Sequence, residues 1–154
     1  PIISEAEAVR IERAIQQAVE QGGNLLCGGE RNGCIITPAV LENVPHDAET
    51  ACEEIFGPVT LIEPFDDFDV ALATVNNSKY GLQAGVFTRD IGRIQQAWDE
   101  LEVGGILINE IPAWRADGMP YGGSKNSGLG REGIRWAIES MTEPRLLVIR
   151  SVPS

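Results

Sequence analysis

Residues 84–108, AGVFTRDIGRIQQAWDELEVGGILI, predict a strand, a helix and a second strand in close succession. Asp90 is placed to cap the helix, and Gly104 and Gly105 separate it from the second apolar run at residues 106–108. The apolar residues of the helix recur at helical spacing and form one face: Ile91, Ile94, Trp98 and Leu101. Strands that alternate with helices over such short distances favour parallel pairing. The stretch therefore predicts an α/β fold.

The rest of the chain continues this alternation of helices and strands. Ser4 and Glu7 form a capping box, so a helix is expected after Ser4 and should end at Gly22. Other helical segments are predicted at residues 48–55, 70–76 and 133–140. Short apolar runs predict strands at residues 25–27, 34–36, 40–44, 59–62 and 146–149. The first two strands flank a glycine-rich segment, residues 28–33, which predicts a hairpin-like turn.

The composition is that of one ordinary globular domain. Of the 154 residues, 43% are hydrophobic and 23% are charged, which is enough apolar material for a core without disulfides or metals. The formal net charge of −11 argues against a nucleic-acid partner, because binding to a phosphate backbone requires clustered cations. The longest purely aliphatic run is far shorter than the ~18 apolar residues that cross a bilayer. We therefore expect neither nucleic acid nor a membrane as a partner.

The cysteines indicate a reducing compartment. Cys27, Cys34 and Cys52 are an odd number and no apolar leader precedes them, so a cytoplasmic location is expected. Six residues separate Cys27 from Cys34, which is more than a zinc knuckle uses, and His46 is the only histidine. No metal site is therefore predicted.

Two glycine-containing motifs are candidates for cofactor binding. GLGREG at residues 128–133 matches the G-x-G-x-x-G pattern of a dinucleotide cradle, but a polar loop precedes it where that pattern requires a strand. A glycine loop that leads into the last helix is the favoured interpretation. In EIFGPV at residues 54–59, Glu54 offers a carboxylate to ribose hydroxyls and Phe56 an aromatic face to a nicotinamide. The alternative, which spacing alone favours, is a helix end with Phe56 in the core and Glu54 in solvent.

Four blocks of sequence resemble the aldehyde dehydrogenase superfamily in their order and spacing. They are GG at residues 28–29 with TPAVL at 37–41, EIFGPV at 54–59, NNSKYGL at 76–82 with GVFT at 85–88, and MPYGGSK at 119–125 with SGLGREG at 127–133. Members of the family are much longer, and the chain lacks an initiator methionine, so the resemblance implies a fragment. The implied fold is the C-terminal portion of the catalytic domain, a parallel sheet with flanking helices. In the family a cofactor-binding domain precedes this portion, so the resemblance implies that such a domain is a missing partner of this chain.

The resemblance also implies how the chain is divided. Residues 1–130 are expected to be the C-terminal part of the catalytic domain, and residues 131–142 a connecting helix. Residues 143–154 would form an oligomerisation strand and a tail. In the family that strand pairs across subunits, so a homo-oligomer is expected.

The resemblance places the catalytic residues outside this chain. The family's nucleophilic cysteine lies in glutamine-x-cysteine surroundings, which Cys27, Cys34 and Cys52 do not have. The family's general base glutamate also lies upstream and is not replaced by Glu53 or Glu54. No catalytic residue is therefore assigned, and the isolated chain is predicted to be inactive.

The implied reaction is the oxidation of a small-molecule aldehyde to its acid, with NAD or NADP as the hydride acceptor. In the cofactor site, the resemblance assigns Glu54 to the nicotinamide ribose, Phe56 to the ribose and ring, and Leu82 to the surroundings of the nicotinamide. The residues that it places along the substrate funnel are Asn109, Trp114, Arg115 and Tyr121. An ordinary core aromatic is the alternative for Trp114. The Arg115 guanidinium would hold a carboxylate, phosphate or phosphonate on the substrate.

The substrate class and the role of the chain leave alternatives open. The sequence at residues 108–109 and 115–133 is most similar to that of the lactaldehyde, succinate-semialdehyde and phosphonoacetaldehyde dehydrogenases. Gly118 and Ser124 depart from the residues that are frequent at their positions in the family, which leaves the substrate class open. A free-standing acidic α/β module that serves only in subunit assembly is the alternative to an enzyme fragment.

Overall fold

The computed structural model describes residues 1–151 and divides the chain into two compact units. Unit 1 is Pro1–Phe68, and unit 2 begins at Asp69. Both units mix short helices with short strands, which confirms the predicted α/β composition. Among the described residues, no helix combines the length and the hydropathy that a membrane span requires.

Unit 1 is built from one long helix and a three-stranded sheet. Its elements are α1 (Glu5–Glu20), β1 (Asn24–Cys27), β2 (Arg31–Asn32), β3 (Ile35–Ile36), β4 (Ala39–Glu42), α2 (Glu49–Cys52) and β5 (Val59–Ile62). The strand order is β1-β4-β5, with β1 antiparallel and β5 parallel to β4. The predicted helix cap is present, since the Glu7 amide donates to Ser4 Oγ at 3.2 Å.

The core of unit 1 lies along one face of α1. Five helix residues are buried there, and they cluster with four residues from the strands and loops: Ala8, Ile11, Ala14, Ile15, Ala18, Ile36, Ala39, Leu41 and Ile55. Their spacing on α1 is the i, i+3, i+4, i+7 pattern that faces a helix toward a core. Because the cluster is contiguous, α1 fixes the positions of the loops that it contacts.

The predicted hairpin between residues 25–27 and 34–36 is wrong. The strand β1 instead pairs with β4, and only a small ladder of β2 with β3 forms within the intervening loop. Gly28 has φ +69, and a Cβ there would overlap the Pro38 carbonyl. This close approach places residues 39–42, which include the fully buried Leu41, beside β1.

Unit 2 contains the strand–helix–strand segment that the sequence predicts. Its elements are α3 (Phe68–Asn76), β6 (Tyr80–Gly81), β7 (Gln83–Val86), α4 (Ile91–Glu100), β8 (Gly105–Ile108), β9 (Ser124–Lys125) and α5 (Ile134–Met141). The strands β7 and β8 are parallel, and Asp90 caps α4 by accepting from the Gly92 and Arg93 amides. The sequence did not predict the short antiparallel β6–β9 ladder.

Two expectations for unit 2 are corrected. The predicted apolar face of α4 is only partly buried, because Ile91 and Trp98 are 76% and 69% exposed while Ala97 is fully buried. The predicted strand at residues 146–149 is not formed within the single chain, where all four side chains are exposed, and its pairing across subunits stays a prediction; residues 152–154 of the predicted tail lie outside the described residues. A strand requires a neighbour for its backbone groups, and no part of residues 1–151 pairs with this segment.

Candidate functional site

The EIFGPV segment forms a loop between α2 and β5 that presents two side chains to solvent. Ile55 is buried in the core of unit 1, whereas Glu54 is exposed and Phe56 is 76% exposed. The interpretation that places Phe56 in the core is therefore wrong, because Ile55 occupies that position. What remains is a carboxylate and an aromatic ring two residues apart on one exposed loop.

The backbone of this loop is strained at Phe56. Its φ is +54, a conformation that is rare for a bulky residue and costs roughly 1–3 kcal/mol. Such conformations persist only where the surroundings fix them, and they are concentrated at functional sites. The loop is fixed next to Phe56 by Gly57, where a Cβ would lie 2.7 Å from the Ile11 side chain.

Leu82 and Tyr121 lie on a common cavity in unit 2. The cavity has a volume of about 750 Å³. Its lining includes apolar, aromatic and charged side chains: Leu82, Tyr121, Leu129, Arg131, Glu132 and Trp136. Leu82, assigned to the cofactor, and Tyr121, assigned to the substrate, therefore lie in one place. A shared cavity does not distinguish a cofactor contact from a substrate contact, so both assignments stay predictions.

The glycine loop of residues 128–133 is one wall of that cavity. Gly128, Gly130 and Gly133 all have positive φ, and Gly133 directly precedes α5. Tyr121 and Glu132 exchange two backbone hydrogen bonds, of 3.2 and 2.6 Å, which fold the loop back on itself. The β9 strand before the loop pairs antiparallel with β6, so within the described residues this glycine loop does not connect the strand and helix of a βαβ unit, as a dinucleotide cradle requires.

Arg115 is held between an aromatic ring and a carboxylate. Its Nη2 lies 2.8 Å from Glu132 Oε2, and its guanidinium carbon lies 4.2 Å from the centre of the Tyr121 ring. The side chain is about half exposed. Arg115 and Tyr121 were predicted as site residues, whereas Glu132 was missed. The available signal in the sequence was the charged pair Arg131 and Glu132, which directly follows Gly130.

Asn109 and Trp114 occupy different surroundings. Asn109 has φ +57 at the end of β8, and its Oδ1 accepts a hydrogen bond of 2.9 Å from the Thr88 amide. This contact ties the end of β8 to the residues after β7. Trp114 is half exposed, so the alternative of an ordinary core aromatic is wrong for the chain as it stands. The assignments of both residues to a substrate funnel stay predictions.

The three cysteines are free thiols. Cys27 is exposed, Cys34 and Cys52 are partly buried, and Cys52 Sγ contacts the Asp47 carbonyl at 3.7 Å. Within the part of the chain that the structure describes, no group of three His, Cys, Asp or Glu side chains is arranged to hold a metal ion.

The chain matches the model of the aldehyde dehydrogenase family over residues 1–147. It is 45% identical over 149 residues to 3-sulfolactaldehyde dehydrogenase of Priestia megaterium, covering 97% of this chain and 31% of the relative. It is 47% identical over 152 residues to lactaldehyde dehydrogenase of Methanococcus maripaludis strain C5, covering 99% and 32%. The chain thus spans about a third of the length of these relatives.

Solved structures of similar sequence share the fold. Aldehyde dehydrogenase 21 of Physcomitrella patens, in complex with the reaction product succinate, has a TM-score of 0.94 and 47% identity, covering 97% of this chain and 31% of that one. Glyceraldehyde-3-phosphate dehydrogenase GapN of Methanocaldococcus jannaschii, with NADP, has a TM-score of 0.85 and 38% identity, covering 92% and 30%. An aldehyde dehydrogenase of Mycobacterium tuberculosis, with NAD+, has a TM-score of 0.82 and 39% identity, covering 93% and 30%.

Proposed function

Because the chain belongs to the aldehyde dehydrogenase family, we propose that it is the C-terminal portion of the catalytic domain of an NAD(P)-dependent enzyme. The complete enzyme would oxidise a small aldehyde to its carboxylic acid. Residues 1–130 would belong to the catalytic domain proper, 131–142 to a connecting helix and 143–154 to an oligomerisation strand and tail. The preceding part of the enzyme would supply the nucleophilic cysteine and the general base, so the chain alone is expected to form no NADH from an aldehyde.

The observation that carries this proposal is the exposed, strained loop at Glu54 and Phe56. Its residues fit a nicotinamide cofactor, since an exposed carboxylate accepts hydrogen bonds from ribose hydroxyls and an exposed ring packs against a flat heterocycle. When bound, the nicotinamide supplies the acceptor for hydride. Glu54 would orient the ribose and Phe56 would limit the motion of the ring. For Leu82, in unit 2, the proposed role as a cofactor contact rests on the family resemblance alone.

The surroundings of Arg115 in unit 2 support the proposal that the substrate is an anion. Arg115 is half exposed and, among residues 1–151, donates to Glu132 through Nη2 alone, while five N–H groups are available on a guanidinium. The remaining donors suit a carboxylate, sulfonate or phosphonate at the far end of an aldehyde. One relative is a 3-sulfolactaldehyde dehydrogenase, whose substrate carries a sulfonate, and one similar structure contains succinate, a dicarboxylate. Asn109, Trp114 and Tyr121 would form the neighbouring walls.

The oligomeric state and the cellular location are proposed from an exposed segment and from the cysteines. The exposed aliphatic side chains at residues 146–149 would be covered by pairing with another subunit, which gives a homo-oligomer. Three free cysteines agree with a cytoplasmic enzyme. A free-standing assembly module is less well supported, because the family match includes the loop at residues 54–59 and extends to residue 147.

The substitution Glu54→Gln in the complete enzyme tests the cofactor assignment. The amide keeps the shape of the side chain but removes its charge, so affinity for NAD+ or NADP+ should fall about tenfold. Glu20→Gln, which removes an exposed charge from the end of α1, is the matched control and should leave that affinity unchanged. Calorimetric titration with each dinucleotide measures both variants. Equal affinities in the two variants would contradict the assignment.

A further inference from the structure

Arg10 links the central helix of unit 1 to the loop at Glu54 and Phe56. Its Nη2 donates to the Ile55 carbonyl oxygen at 2.6 Å, and Ile55 is the residue between the two proposed cofactor contacts. Among residues 1–151, no backbone amide donates to that carbonyl. The guanidinium is therefore the hydrogen-bond donor that holds the backbone at this point.

Arg10 is itself fixed by two carboxylates. Its Nε lies 2.8 Å from Glu7 Oε2, one turn earlier on α1, and its Nη1 lies 3.3 Å from Glu49 Oε1 on α2. An arginine is charged at physiological pH, and the hydrogen bond to Glu7 is the largest cause that raises the pKa of Arg10 further. A guanidinium with three separate partners has a defined orientation.

The loop requires such an anchor because Phe56 is strained. The buried Ile55 side chain and the Arg10 hydrogen bond hold the residue before Phe56. The residue after it, Gly57, passes so close to α1 that an added Cβ would lie 2.7 Å from the Ile11 side chain. Without the hydrogen bond, Phe56 would relax toward negative φ, and the side chains of Glu54 and Phe56 would change direction.

We propose that Arg10 is a positioning residue for cofactor binding, which orients Glu54 and Phe56 through the Ile55 carbonyl. The inference rests on the proposed function, in which those two side chains hold the nicotinamide ribose and ring. Arg10 does not touch the cofactor in this proposal. Its contribution is the pre-organisation of the loop, which lowers the cost of ordering it on binding.

Arg31 provides a matched control within the same unit. It also ties α1 to a loop, with Nε 2.7 Å from Glu12 Oε2 and Nη1 3.3 Å from the Gly33 carbonyl. The loop that it holds, residues 28–33, has no assigned contact with the cofactor. Arg10→Met and Arg31→Met therefore remove comparable anchors of α1, and only the first acts on the proposed cofactor loop.

The test compares these variants in the complete enzyme by titration with NAD+ and NADP+, by thermal unfolding and by steady-state kinetics. Arg10→Met should weaken cofactor binding about tenfold, with the KM for the aldehyde unchanged at saturating cofactor. Arg31→Met should lower Tm by a similar amount and leave cofactor affinity unchanged. Arg10→Lys, which keeps the charge but cannot reach three partners in fixed geometry, should give an intermediate loss and serves if Arg10→Met does not fold.

The outcomes separate the inference from the function on which it rests. Equal cofactor affinities in Arg10→Met and Arg31→Met would overturn the positioning role of Arg10. If Glu54→Gln weakens cofactor binding while Arg10→Met does not, the inference fails and the proposed function stands. If neither Glu54→Gln nor Arg10→Met weakens it, both fail.

Discussion

The two units differ in how far each completes its own core. Unit 1 buries a cluster of nine apolar residues around α1. In the described part of unit 2, four apolar side chains are buried: Leu72, Ala97, Leu101 and Leu107. Unit 2 leaves many others exposed, including Trp98, Ile134, Met141 and the aliphatic run at residues 146–149. Exposed apolar surface of this extent is typical of a surface that packs against another polypeptide segment or another subunit.

The difference extends to the candidate sites. In unit 1 the loop with Glu54 and Phe56 is fastened to the core through Ile55, Gly57 and Arg10. In unit 2, Arg115 is held on a loop by one carboxylate and one ring. The proposed cofactor loop is thus built on a core, whereas the proposed substrate group lies on loops, which are the segments that tolerate most change in sequence.

Truncation of one buried side chain in each unit should give the largest changes in the free energy of unfolding and tests whether the core of unit 1 is the more complete one. Ile11→Ala should lower the free energy of unfolding by about 4 kcal/mol, because Ile11 is fully buried at the centre of its cluster. Leu107→Ala in β8 should cost about 2 kcal/mol, because Leu107 lies in the smaller core. Urea unfolding followed by circular dichroism measures both. A larger loss for Leu107→Ala would reverse the ranking of the two cores.

Substitution of Arg115, the proposed binding group for an anionic substrate, should give the next largest effect. Arg115→Leu in the complete enzyme should reduce kcat/KM for an anionic aldehyde by roughly 10- to 100-fold and leave a neutral aldehyde of similar size almost unaffected. Arg135→Leu, which removes the exposed ion pair with Glu139 on α5, is the control for the loss of a charge. Equal losses for the two aldehydes in Arg115→Leu would show that Arg115 is structural.

The helix caps should give the smallest effects and sharpen the comparison, since Ser4 caps a helix of unit 1 and Asp90 caps a helix of unit 2. Ser4→Ala should lower the free energy of unfolding by about 1 kcal/mol, because one amide of α1 loses its acceptor. Asp90→Ala should cost slightly more, because its carboxylate accepts from two amides at the positive end of α4. Chemical denaturation of the two variants ranks them. Ser4→Ala as the costlier substitution would contradict the account of the caps.

Local signals in the sequence predicted the elements that depend on neighbouring residues. The caps at Ser4 and Asp90 and the parallel pairing of β7 with β8 follow from short spacings along the chain. The pairing of β1 with β4 was missed because it depends on the close approach of Gly28 to Pro38, which no periodicity encodes. The exposure of Trp98 was missed because helical spacing identifies an apolar face without identifying what covers it.

For the candidate site too, the sequence indicated individual residues but not the contacts between distant ones. Residue chemistry indicated Glu54 and Phe56 as candidates, although spacing alone favoured a buried Phe56, and the resemblance assigned their roles and that of Arg115. Neither approach found Glu132 as the partner of Arg115, because 17 residues and a folded glycine loop separate them. The contact of Arg10 with Ile55 spans 45 residues and depends on the packing of the whole unit.

Replacement of Phe56 by glycine tests the central claim most directly, because function and stability should change in opposite directions. Glycine adopts positive φ without strain, and Phe56 buries little surface, so Phe56→Gly should leave Tm of the complete enzyme unchanged or raise it. The loss of the ring should weaken binding of NAD+ or NADP+ about tenfold, as titration of the variant measures. Unchanged cofactor affinity together with a lower Tm would contradict the account, since Phe56 would then support the fold rather than the cofactor.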